Sequence, residues 1–224
     1  MKTVFLSLLS LLLAGLIPSS DVTLEFAFED DFFIGSAVSY GQADGRDQQG
    51  RALLEKHFSS ITPENMLKWG PVHPAPADNF VQLGVDNDMF IIGHTLVWHQ
   101  QTPDWVFKDE SGKALTREAL LARMEDHIST VAGRYRGKIN GWDVVNEALE
   151  EDGTLRETQW LGIIGEDYLA KAFTYANKAA PDAELYYNDY NLWKPEKRAG
   201  AIRLVKSLLD QGIRVDGIGM QGHY

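Results

Sequence analysis

The stretch "WDVVNEALEEDG" (142–153) decides the fold, because it joins a strand for a sheet interior to a polar ending. Trp142, Val144 and Val145 are typical of a buried strand. Asn146 and Glu147 follow side by side before the apolar pattern has ended. A buried carboxylate that has no partner is energetically costly. We therefore expect this strand end to serve a chemical purpose.

Strand and helix patterns alternate on both sides of this stretch. Strand patterns occupy 32–38, 59–62, 89–99, 139–149, 183–191 and 215–224, and the clearest helix patterns occupy 47–58, 116–137, 166–181 and 194–212. Thr116 is a plausible N-cap, Pro195 lies near a first turn and Gly212 lies just past a helix end. The alternation predicts a parallel sheet with helices outside. Two α/β architectures fit: an open doubly wound sheet, or a (β/α)8 TIM barrel with about six of eight units present.

Composition narrows the class of protein. The chain has 224 residues, of which 44% are apolar, which suffices for one sizeable core. Its net charge of −11 argues against nucleic acid and against anionic membranes as partners. The absence of cysteine excludes disulfides, thiolate metal sites and cysteine nucleophiles.

The first twenty residues, "MKTVFLSLLSLLLAGLIPSS", have one early lysine, an apolar run and then small and polar residues. This layout predicts a signal peptide over 1–20, and hence a secreted or periplasmic protein. The run is short for a transmembrane helix, although an uncleaved anchor is the alternative.

Polar and aromatic side chains lie where each predicted strand from the second onward ends. Parallel α/β folds bind ligands at this end of their strands. A solvated turn or a core histidine explains any one cluster, but loop composition does not explain five in series. The candidates are Glu64, Asn65 and Lys68; His94, Trp98 and Gln101; Asn146 and Glu147; residues 188–191, including Tyr190; and Gln221 and His223.

Neither a metal site nor a nucleotide site is supported by spacing. His94 and His99 are five residues apart, so on a strand they point to opposite faces. The run "GIGMQG" (217–222) matches the dinucleotide pattern GxGxxG, which must open a helix to bind pyrophosphate. Here the match lies inside the last predicted strand. We therefore predict no metal and no cofactor, and we disfavour a Rossmann-type oxidoreductase.

Five stretches together carry a resemblance to a known family. They are "SSITPENMLKW" (59–69), "GHTLVWHQQTPDWV" (93–106), "GWDVVNEAL" (141–149), "LYYNDYN" (185–191) and "GIGMQGHY" (217–224). In order and spacing they resemble the strand-end motifs of family 10 glycoside hydrolases, the endo-1,4-β-xylanases, from about residue 30 to the last residue. The resemblance implies a (β/α)8 barrel and retaining hydrolysis of xylan. It also implies xylan or xylo-oligosaccharides as the partner, and we expect a monomer.

The resemblance also implies a role for each matched residue. Glu147 corresponds to the general acid/base, and Asn146 to the residue that bonds the sugar 2-hydroxyl. Tyr190 corresponds to a cleft tyrosine. Gln221 and His223 correspond to residues that orient the nucleophile and the sugar. The residues implied to hold the sugar on the non-reducing side of the cleaved bond are Glu64, Asn65, Lys68, His94, Trp98 and Gln101.

The chain departs from the family pattern in two places. Retaining enzymes need a second carboxylate ~5–5.5 Å from the first. The family has it at the end of a seventh strand, and no carboxylate of this chain matches that position. The resemblance thus predicts a C-terminally truncated catalytic domain over 21–224, with exposed strand edges. The segment 70–89 looks several residues short, which predicts a displaced third strand. The alternative functions are a catalytically inactive oligosaccharide-binding remnant and, less favoured, a purely structural domain.

Overall fold

The computed structural model describes residues 22–73 and 77–223, so the signal peptide predicted at 1–20 lies outside the described residues. Six strands form one parallel sheet. They are β1 (Gly35–Val38), β2 (Ser60–Pro63), β3 (Phe90–Val97), β4 (Gly141–Asn146), β5 (Glu184–Tyr190) and β6 (Gly217–Gln221). Each strand lies inside or within one residue of a range predicted from the sequence, so the six predicted strands are confirmed. The run "GIGMQG" falls within and just after β6.

The order of the strands decides between the two architectures that the sequence left open. The sheet runs β1-β2-β3-β4-β5-β6, with every strand parallel to its neighbour in the chain. A doubly wound sheet reverses its order at a switch point, and this sheet does not. Since every crossover moves in the same direction, the helices lie on one face and the sheet curves. The result is an incomplete (β/α)8 barrel.

Helices precede and connect the strands. They are α1 (Leu24–Phe28), α2 (Tyr40–Ala43), α3 (Gln48–His57), α4 (Trp69–Val72), α5 (Asp78–Asp86), α6 (Arg117–Arg134), α7 (Gln159–Ile164), α8 (Tyr168–Ala179) and α9 (Pro195–Asp210), with a 3-10 turn at Asp104–Val106. Those that pack directly against the sheet include α5, α6 and α8. The Thr116 hydroxyl caps α6 by accepting from the Ala119 amide, and Pro195 opens α9. Gly212, with φ +73°, follows the end of α9. None of the described helices is long and apolar enough to cross a bilayer.

The core lies between the sheet and these helices, and Trp142 on β4 is one of its largest members. The indole of Trp142 lies against Gly93 on β3, where an added Cβ would come within 2.3 Å of the ring. Glycine at position 93 therefore permits the Trp142 side chain to pack between neighbouring strands. The other largest fully buried side chains include Trp160, Tyr187, Phe80 and Phe173.

The segment 70–89 corrects one expectation from the sequence. A nine-residue helix, α5, fits between β2 and β3, and its Gly84 packs directly against Ile91, where an added Cβ would lie 2.5 Å from that side chain. Strand β3 pairs with β2 through Ser60↔Phe90 and with β4 on its other side. Strand β3 thus lies within the predicted range 89–99, so the predicted displacement of the third strand was wrong, and a register shift toward β4 occurs only between His94 and Val97.

Candidate active site

The carboxylate of Glu147 is the centre of the site at the C-terminal end of β4. It is 8% exposed and accepts three hydrogen bonds. Trp98 Nε1 donates to Oε2 at 3.0 Å, while Gln221 Nε2 and Asn146 Nδ2 donate to Oε1 at 3.1 and 3.2 Å. These donors come from the ends of β3, β4 and β6. Trp98, Asn146 and Gln221, which the sequence analysis named as candidates, therefore converge on Glu147.

Asn146 links the same group to β5. Its Oδ1 accepts from Asn188 Nδ2 at 2.8 Å and from Gln221 Nε2 at 3.1 Å, so its Nδ2 is aimed at Glu147. The backbone amide of Glu147 also donates to the Asn188 carbonyl at 2.8 Å. The orientation of the Asn146 amide is thus fixed by two donors, which leaves little freedom for the carboxylate beside it.

A second group of predicted residues lies beside Trp98. Lys68 Nζ donates to Asn65 Oδ1 at 3.0 Å, and Gln101 Nε2 donates to the same oxygen at 3.2 Å. The Lys68 ammonium also lies 4.9 Å from the centre of the Trp98 ring. Burial lowers the pKa of Lys68, and the nearby carboxylates of Glu147 and Glu64 oppose that shift. The result is a polar wall with one cation next to the acidic centre.

His94 is oriented by a residue that the sequence reasoning missed. Its Nδ1 lies 2.8 Å from Oδ2 of Asp143, which is buried on β4 opposite His94 in the strand register. The alternation of side chains along β4 was the available signal, because Asp143 lies on the interior face between the outward Trp142 and Val144. The Asp143 carboxylate beside Nδ1 therefore fixes the orientation of the His94 ring.

The remaining predicted residues surround an open cavity of about 610 Å³ inside the curve of the sheet. Glu64, His94, Gln221 and His223 all contribute to its lining, and His223 and Glu64 are exposed. Asp143 and Asn188 line it as well. The cavity is polar at the strand ends, so it suits a ligand with many hydroxyl groups.

Tyr190 lies apart from this cavity, against an arginine that the sequence reasoning also missed. The Tyr190 hydroxyl accepts from Nη2 of Arg156 at 3.0 Å, and Arg156 Nε donates to the Glu147 carbonyl at 3.1 Å. Arg156 lies nine residues after Glu147, in a loop without a recognised motif, so no spacing rule indicated it. A further missed residue, Trp160, donates from Nε1 to the Trp98 carbonyl at 2.9 Å and so fixes Trp98 from behind.

The described residues contain no group of three or more His, Cys, Asp or Glu side chains arranged to hold a metal ion. What the cleft offers instead is one buried carboxylate, amide donors, an imidazole, an ammonium group and an indole. These groups suit proton transfer and the binding of hydroxyl groups.

Comparison with known families agrees with this chemistry. The sequence model of glycosyl hydrolase family 10 matches residues 23–224. The chain belongs to glycosyl hydrolase family 10. A β-1,4-xylanase of Dictyoglomus thermophilum is 46% identical over 211 residues, which are 90% of this chain and 57% of the relative.

Solved structures give the same answer for the fold. A GH10 endoxylanase retrieved from a sugarcane soil metagenome superposes with a TM-score of 0.87 at 46% identity, over 89% of this chain and 60% of the other. A mutant of TsXylA, an intracellular xylanase of Thermoanaerobacterium saccharolyticum, was solved with xylotetraose. It superposes with a TM-score of 0.85 at 39% identity, over 91% and 68%. The chain spans 57–64% of the length of the curated relatives with which it shares 44–46% identity.

Proposed function

We propose that this protein is an endo-1,4-β-xylanase that hydrolyses xylan or xylo-oligosaccharides with retention, and that Glu147 is its general acid/base. The observation that carries the proposal is the carboxylate of Glu147, nearly buried and held by donors from three strand ends. Membership of family 10 and the xylanase names of the relatives support it.

The proposed mechanism follows from what these side chains can do. Glycoside cleavage requires a proton on the leaving oxygen, and a carboxylic acid fixed beside that oxygen supplies it. The Trp98 and Gln221 bonds fix the carboxyl group of Glu147 in space before substrate arrives. Asn146 lies next to Glu147, where its amide can meet the sugar 2-hydroxyl. Lys68, Asn65 and Gln101 form the wall that would hold the sugar on the non-reducing side.

The retaining step also needs a carboxylate nucleophile ~5–5.5 Å from the acid. The family resemblance assigns that group to a seventh strand, and the described part of the chain contains six. A second candidate function is binding of xylo-oligosaccharides without turnover. The same amides, indole and ammonium group would serve both functions.

The experiment compares hydrolysis of xylotetraose with its binding. We expect the wild-type protein to release shorter xylo-oligosaccharides, and Glu147→Gln to lower the rate by about 10²–10⁴-fold because the proton donor is lost. Glu125→Gln is the matched control, since Glu125 pairs with Lys178 on the outer helices. Its rate should equal that of the wild type.

The two functions predict different outcomes. Calorimetric binding of xylotetraose with no products after long incubation would favour the binding function over hydrolysis. Neither binding nor products, in a folded protein, would contradict both. An E125Q loss equal to that of E147Q would show that Glu147 has no special role.

We also propose that the protein is secreted or periplasmic and acts as a monomer. The first part rests on the apolar run within residues 1–20, which lie outside the described residues. N-terminal sequencing of the protein recovered outside the cytoplasm tests it, since a mature N-terminus near residue 20 is expected. Sedimentation velocity tests the second part.

A further inference from the structure

The backbone at Glu147 adopts a conformation that few non-glycine residues take. Its φ is +56°, in the left-handed region, directly after the last residue of β4. L-residues rarely adopt this conformation because of close contacts with their Cβ, so it persists only where the surrounding contacts determine it. The side chain that would donate the proton is therefore placed by a backbone turn that something must hold.

Arg156 holds this turn from the carbonyl side. Its Nε donates to the Glu147 carbonyl at 3.1 Å, and its Nη2 donates to the Leu149 carbonyl at 2.8 Å. The guanidinium thus bridges both ends of the three-residue turn. On the other side of the turn, the Glu147 amide donates to Asn188 at 2.8 Å. The turn is fixed between β5 and the arginine.

The loop after Glu147 folds back so that Arg156 reaches it. Leu149 and Leu155 form an antiparallel bridge, and the Arg156 amide donates to the Ala148 carbonyl at 2.8 Å. Residues 149–155 therefore make a tight hairpin. This hairpin explains how a residue nine positions downstream comes to bond the Glu147 backbone.

The guanidinium is itself held in place, so it can impose a geometry. Its Nη2 donates to the Tyr190 hydroxyl at 3.0 Å, and its Nη1 lies 3.3 Å from Oε2 of Glu150. Behind it, the Tyr190 ring covers the buried ammonium of Lys197 at 3.5 Å, and Lys197 pairs with Asp189 at 3.0 Å. The Arg156 side chain is only 17% exposed.

We propose that Arg156 is a positioning residue for the general acid, acting through the backbone of Glu147 rather than through substrate. This proposal rests on the proposed function, because it gives Arg156 a part in proton donation by Glu147. A lysine cannot replace it, since a single ammonium group lacks the planar fork that spans two carbonyls and a phenol. Loss of the fork should release the turn and move the carboxyl group away from Trp98.

The first test reads the geometry without any turnover. The indole N–H of Trp98 donates to Glu147, so its NMR resonance reports the position of the carboxyl group. Trp98→Phe assigns that resonance among the six tryptophans. We expect Arg156→Gln and Arg156→Lys to shift it toward its position in Glu147→Gln. Arg203→Gln is the matched control, since Arg203 also donates to a carbonyl of the same loop, at Gly153, 3.2 Å away.

The second test uses aryl xylobiosides that differ in leaving group. A phenol leaving group needs the proton, whereas a dinitrophenol leaves without it. We expect Arg156→Gln to lower kcat/KM about 10- to 100-fold for the phenyl substrate, and less than about threefold for the dinitrophenyl substrate. A merely structural loss would lower both equally.

The outcomes separate this inference from the function on which it rests. If the wild type cleaves neither substrate, the proposed function fails. The Trp98 indole resonance then tests by itself whether Arg156 positions the Glu147 carboxyl group. If folded Arg156→Gln leaves both the resonance and the leaving-group dependence as in the wild type, the positioning role is wrong. If Arg156→Gln does not fold, Arg156→Lys decides in the same way, because it keeps the charge.

Discussion

Strands β4 and β6 carry neighbouring parts of one site in opposite surroundings. Every residue of β4 is buried, whereas none of β6 is, and Met220 on β6 is 61% exposed. Strand β4 pairs with β3 and β5 and is covered by helices, while β6 pairs with β5 alone among the described strands. Glu147 thus follows a strand that is buried along its whole length, and the Gln221 that donates to it ends a strand with one described neighbour. Among the described residues, the Glu147 carboxylate is therefore the more closely surrounded of the two groups.

The sharpest test of this contrast is to truncate one large side chain on each strand. We expect Trp142→Ala to lower the free energy of unfolding by about 3–5 kcal/mol, because it empties a closed part of the core. Met220→Ala should change it by less than about 0.5 kcal/mol, because that side chain is already in water. Urea unfolding at 25 °C measures both. Equal losses would mean that β6 is as well packed as β4.

Adding a methyl group tests the same contrast from the opposite direction. A Cβ at Gly93 would meet the Trp142 ring at 2.3 Å, and one at Gly219 on β6 would meet Asn188 Oδ1 at 2.4 Å. We expect Gly93→Ala to cost about 1–3 kcal/mol through overpacking. Gly219→Ala should cost less, because an edge strand can shift, yet it should weaken xylotetraose binding by displacing Asn188 from Asn146.

Gly133 is the control for that pair. It lies on α6, and an added Cβ there has nothing within 4 Å. Gly133→Ala should therefore leave stability unchanged or raise it by up to about 1 kcal/mol. Thermal unfolding ranks the three variants, and a Gly93→Ala protein as stable as Gly133→Ala would contradict the close packing of Trp142.

The sequence predicted the strands because each strand is an apolar run bounded by clear signals. Thr116 and Pro195 marked helix starts, and Gly212 marked a helix end, since these residues suit those positions for local reasons. The short helices α2, α4 and α7 escaped prediction because four to six residues show too little periodicity.

Within the site, the sequence predicted the residues at strand ends but not the residues that hold them. Glu147, Asn146 and Gln221 were found because a polar residue that ends an apolar strand is conspicuous. Asp143 was read only as part of an apolar strand. Arg156 was missed because its contact with Glu147 depends on the hairpin at 149–155, which brings it back in space. Local sequence patterns indicate which residues end the strands. The residues that hold them in place are brought there only by tertiary folding.

A further expected effect concerns pH and a histidine that is buried on α6. His127 on α6 is 1% exposed, stacks on Trp69 and lies 2.9 Å from a nitrogen of His73. Burial, together with the charge of nearby His73, lowers the pKa of His127 to about 3, and a backbone hydrogen bond at Leu96 opposes the shift. Burial also lowers the pKa of His73, against the charge of Asp126.

The sign of the effect follows from proton binding. Between pH 3 and the ordinary histidine value near 6.5, the unfolded chain binds a proton at His127 that the folded protein does not. The stability that His127 contributes is thus complete above about pH 6.5 and falls as the pH drops toward 3.

We expect the free energy of unfolding to fall by about 1 kcal/mol between pH 6.5 and 5.5 because of His127. Urea unfolding at both pH values should show this loss in the wild type and a smaller one in His127→Gln. His57→Gln, at the end of α3, is the control and should keep the wild-type pH dependence. If His127→Gln also kept it, the loss of stability would not come from His127.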